Sequence, residues 1–135
     1  MKRYTASIEQ QYQQNSNPVM DLVMCLLHSV TNAHILHLST TSYAAHKALE
    51  NFYENIGGLV DDLVETYQGK YGLLTDYRPT FVLAEEPISY MMYLKDELKR
   101  CRTSGNFPQD SELQNIADEI AQLIDSTLYK LRFLK

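Results

Sequence analysis

The stretch YAAHKALENFYENIGGLVDDLVETYQ, residues 43–68, decides how the chain folds. Its pattern is helical from Tyr43 to about Gln68. Ser39-Thr40-Thr41-Ser42 in front of it offers several capping hydroxyls, and Gly69 closes it. On the N-terminal side, Asn17-Pro18 reads as a cap followed by a first-turn proline. Val19, Leu22, Val23, Leu26, Leu27, Val30 and Ala33 then follow the spacing of one buried helix face, which fades near His37. On the C-terminal side, residues 69–84 hold Gly72 and Pro79, which suits a long connection with one short helical turn. A third helix is expected from Pro87 to about Arg102, with Ile88, Met91, Met92, Tyr93, Leu94 and Leu98 as its apolar set. Gly105-Asn106-Phe107-Pro108 breaks the chain, and a fourth helix runs from about Gln109 to Leu131.

Two helices, a longer link and two more helices predict an all-α, ferritin-like four-helix bundle with a long crossover between helices 2 and 3. The 135 residues make one domain, with residues 1–16 as a flexible or partly helical arm. Apolar residues at 44% and charged residues at 21% exclude a disordered tail, a collagen or a disulfide scaffold. A net charge of −5 argues against DNA binding, because coating phosphates needs dense Lys and Arg, and the only basic arm is Lys2-Arg3. No apolar run approaches the roughly 18 residues that span a bilayer, so no membrane partner is expected. Cys25 and Cys101 lie far apart in a chain without a charged-then-apolar leader, which points to a reduced, cytoplasmic setting.

His28, His34, His37 and His46, all the histidines of the chain, fall within nineteen consecutive residues. On the second helix, His46, Glu50, Glu54, Asp61 and Glu65 lie on one stripe, at steps of four, four, seven and four residues. Imidazole and carboxylate on one face bind iron or zinc, and carboxylates can bridge two metals. Yet His46 and Glu65 stand roughly 28 Å apart along the helix, and Glu50 and Asp61 roughly 16 Å. A second copy of the helix, antiparallel about a two-fold axis near Asn55-Ile56, brings His46 and Glu50 of one subunit level with Glu65 and Asp61 of the other. Gly57 and Gly58 sit beside that axis, where close approach of two backbones gives them a reason.

The spacing His34-x11-His46-x3-Glu50-x10-Asp61-x3-Glu65 resembles the ferroxidase signature of the Dps mini-ferritins, and the chain is similar to short ferritin-like proteins of tailed bacteriophages. The resemblance implies that His34, His46 and Glu50 come from one subunit and Asp61 and Glu65 from its two-fold mate. It implies oxidation of Fe(II) by hydrogen peroxide or oxygen, storage as ferric mineral and protection against peroxide, in a two-fold dimer at minimum, with the family's twelve-subunit cage as the larger assembly. Zinc or another divalent metal suits the same donors. Glu50 stands where the family usually has aspartate, Ile35 where an aromatic residue commonly follows the first histidine, and the chain is short for the family. The alternative is a non-catalytic helical dimer or scaffold with a structural or vestigial metal site. No Glu-x-x-His motif occurs, which disfavours a larger ferritin or a di-iron oxygenase.

Among the remaining residues, His37 reads as a helix-end cap or an extra ligand, and Asp62 as an acid beside the site or a solvated one. His28 reads as a core or interface residue, Met91 and Met92 as core, and Tyr43 and Tyr53 as packing near the site or as electron donors. Cys25 reads as a buried apolar residue and Cys101 as the more reactive thiol. Lys95, Lys99, Arg100 and Arg102 read as cations suited to a helix C-terminus.

Overall fold

A computed structural model describes residues 17–78 and 80–135, so the expected N-terminal arm lies outside the described residues. Four helices and no strands are present among them: α1 (Pro18–Ser39), α2 (Tyr43–Tyr71), α3 (Pro87–Thr103) and α4 (Ser111–Phe133). Asn17 caps α1 by accepting from the Met20 amide at 2.9 Å, and Ser42 caps α2 through the Ala45 amide at 3.2 Å. Gly69 is interior to α2. The helix stops instead at Gly72, whose φ of 94° lies in the left-handed region that a side chain disfavours. The link 72–86 carries no helical turn among its described residues, contrary to expectation.

α1 packs on α2 and α3, and α4 packs on the same two helices. Polar contacts fix the directions. Asn17 at the start of α1 meets Tyr67 near the end of α2, and the Cys101 thiol near the end of α3 donates to the Pro18 carbonyl at 3.4 Å. Lys70 of α2 pairs with Asp110 and Glu112 at the start of α4, and Lys95 of α3 pairs with Asp125 of α4. Every packed pair is therefore antiparallel, so α2 and α3 run the same way and the link must climb the bundle between them. It does so along α1: Arg78 pairs with Asp21 near the foot, and Val82 and Ala84 bond to Asn32 farther up.

The core lies along the bundle axis, with Phe52, Leu49, Ile56 and Leu63 of α2 fully buried against Leu22 and Leu26 of α1, Met91 and Leu94 of α3, and Leu113, Ile120 and Ile124 of α4. Met92, half-buried, is peripheral to it, and Leu27 of the expected buried face is 39% exposed. α1 is long and apolar enough to cross a membrane by length and composition. Letter by letter, Ser29 and Asn32 interrupt its run, yet the average stays apolar. Half of its most apolar stretch is buried within the bundle, as befits a core helix.

Candidate metal centre

Only Thr40 to Ser42 separate α1 from α2, so the last turn of one helix lies against the first turn of the other. There His37 and His46 stack face to face, with ring centroids 3.6 Å apart and planes within 18°. His37 donates from Nδ1 to the His46 carbonyl at 2.7 Å, and His46 donates from Nδ1 to the His37 carbonyl at 2.8 Å. A carbonyl only accepts, so both hydrogens sit on Nδ1 and each Nε2 is the nitrogen left for a metal or a proton. Such an Nδ1–H···O=C bond is the usual way a ligating imidazole is oriented. His37, 6% exposed, thus pins the helix hairpin from inside.

His34 is exposed and stacks on Tyr53 of α2 at 4.4 Å and 17°. Tyr53 in turn meets His37 edge-on at 5.3 Å, so His34, His37, His46 and Tyr53 form one continuous cluster across α1 and α2. Partial burial raises the Tyr53 phenol above its ordinary pKa, with the Glu50 and Glu54 carboxylates adding to the effect. Tyr43 is exposed, its ring 6.4 Å from that of His46. Glu50, one turn on from His46, pairs with Lys47 at 2.6 Å, and that hydrogen bond holds its carboxyl below the usual range.

Asp61, Asp62 and Glu65 are exposed on α2, and their side chains have no hydrogen bond or ion pair among the described residues. One chain brings three histidines together and leaves these acids up to five turns away. Accordingly, no group of three or more His, Cys, Asp or Glu among the described residues is placed to hold a metal ion. Gly57 and Gly58 have open space where a Cβ would stand, so nothing among the described residues requires glycine there.

The thiols differ from expectation. Cys101 is buried and its pKa is pushed up to about 11 by that burial, and Cys25 is pushed up to about 12. Neither is primed as a thiolate, because removal from water outweighs the nearby Arg100. His28 is half-exposed and packs edge-on against Phe81 of the link at 5.2 Å. The reciprocal bond of His37 and His46 went unseen in the sequence. Its one signal is a pair of histidines nine residues apart across a short capped turn.

Residues 37–131 match a family of unknown function (DUF5856). No curated protein and no solved structure matches the chain.

Proposed function

The chain belongs to the DUF5856 family of unknown function, and we propose that it works as a Dps-like mini-ferritin, taking Fe(II) as substrate at sites shared by two-fold related subunits. The observation that carries this reading is the stripe of α2 on which His46 and Glu50 are half-buried and Asp61 and Glu65 exposed. His46 and Glu50 on one side of Asn55-Ile56 mirror Asp61 and Glu65 on the other, with the two unexplained glycines beside the axis. A ferritin-like bundle agrees with the antiparallel packing and the single long crossover.

The donor set suits the substrate. His34 and His46 offer imidazole nitrogens that favour Fe(II), and Glu50 with Asp61 and Glu65 of a second copy offers carboxylates that balance the charge gained at Fe(III). With peroxide the step balances as two Fe(II), one H2O2 and two protons giving two Fe(III) and two waters. The ferric product would then pass to a mineral store. Lys47 holds Glu50 Oε2 and so competes with metal for that oxygen, and this contact favours the non-catalytic dimer as a second reading.

Fe(II) oxidation followed by ultraviolet absorbance tests the proposal. The double variant His46→Ala/Asp61→Ala should fall to the rate of iron in buffer. A rate equal to that of wild type would remove the site.

A further inference from the structure

A cavity of about 630 Å³ lies between α1, the 72–86 link and α3, within the range of small-molecule sites. It is separate from the proposed iron face: His28, which lines it, and His34 are six residues apart on α1, which at 3.6 residues per turn sets them about 120° apart. Tyr90 and Tyr93 of α3 form one wall, with ring centroids 6.2 Å apart and planes within 25°. His28, braced by Phe81, lines the cavity from α1.

Asn32, only 2% exposed, lines the upper end. Its Nδ2 donates to the Val82 carbonyl at 3.0 Å and to the Tyr90 hydroxyl at 3.2 Å, and its Oδ1 accepts from the Ala84 amide at 2.8 Å. The foot holds two ion pairs of matched sense, Arg78 with Asp21 and Arg100 with Glu97. Between foot and top the groups are uncharged at neutral pH. Burial pushes up the Cys25 thiol and the Tyr90 and Tyr93 phenols, and lowers the His28 pKa.

An aromatic slot with an uncharged interior and both charges gathered at one end selects a ligand of the same plan. We propose that this cavity binds an aromatic α-amino acid as its zwitterion, ring between His28 and the tyrosine pair, ammonium and carboxylate at the Asp21–Arg78 and Glu97–Arg100 pairs. The two ion pairs leave the foot with no net charge, so an anion alone would add one uncompensated negative charge there and a cation alone one uncompensated positive charge. A zwitterion exchanges partners with both pairs and leaves no charge over.

The chain has no tryptophan, so the fluorescence of added L-tryptophan is read against a dark background at its excitation edge. Its anisotropy should rise saturably on titration with the intact protein. Tryptamine, lacking the carboxylate, and indole-3-propionate, lacking the ammonium, should each bind at least tenfold more weakly. Arg100→Gln, at a side chain 64% exposed, should weaken L-tryptophan at least tenfold while leaving the thermal melt in place. No saturable binding at millimolar L-tryptophan, or equal affinity for the three probes, overturns the proposal. The probe comparison on wild-type protein stands even if the variant fails to fold.

Discussion

Asn32 holds three segments at once: one buried amide joins α1 to the link at Val82 and Ala84 and to α3 at Tyr90. Asn32→Leu should cost about 1–3 kcal/mol, because the Ala84 amide, the Val82 carbonyl and the Tyr90 hydroxyl all lose a partner at part-buried positions. Chemical denaturation measures the loss, and hydrogen exchange at the Ala84 amide should rise well above that at core amides of α2. Unchanged exchange there would mean that the link is held by other contacts. At this scale, what was legible in sequence was local. His46 and Glu50 share a face because they are one helical turn apart. The stack of His37 on His46 depends on how a three-residue turn sets two helix ends, and the hold of Asn32 depends on a partner fifty residues away. Neither distance is encoded in a period.

α2 shows which features an element announces and which it hides. Its start was readable from the Ser39–Ser42 hydroxyls, but two glycines near its end competed for the stop, and Gly72 won because the backbone turns left-handed there and not at Gly69. In mid-helix, Gly57→Ala/Gly58→Ala should stabilise the isolated chain by up to about 1 kcal/mol per site, since both added methyls meet open space. The same variant should weaken self-association, seen as a higher dissociation constant in sedimentation equilibrium, if two α2 backbones approach at this point. Added stability with undiminished association would leave the glycines without that role.

α3 carries a separate, titratable device. Glu86 caps it by accepting from the Ile88 amide at 2.9 Å and the Ser89 amide at 2.7 Å. Partial burial works against the carboxylate, but these bonds together hold its pKa below the ordinary 4.5. A lowered folded pKa stabilises the fold above the unfolded value and loses that contribution as pH falls through the folded value. Glu86→Ala should therefore cost about 0.5–2 kcal/mol at pH 7, with the gap to wild type closing below pH 4.5 in thermal melts at a series of pH values.

For the whole molecule, the decisive property of the proposed centre is that each chain carries halves of two sites. The charge of −5 suits a protein that draws in cations, and Arg100, Arg102 and Lys95 are each engaged by an acid of the bundle. Divided sites permit a test that no single-chain site could pass. His46→Ala alone and Asp61→Ala alone each damage both sites of a homodimer, so each protein by itself should oxidise Fe(II) at the background rate. Unfolded together and refolded as an equal mixture, half of the dimers should be mixed. In those, the intact His46 of one subunit faces the intact Asp61 of the other, while the second site has lost both. About a quarter of the wild-type rate should return, one working site in two for half of the dimers. Light scattering on the same sample should give about 31 kDa for a dimer or about 187 kDa for twelve chains of 15.6 kDa. A mixture that assembles but stays at background would leave a helical dimer without shared iron chemistry.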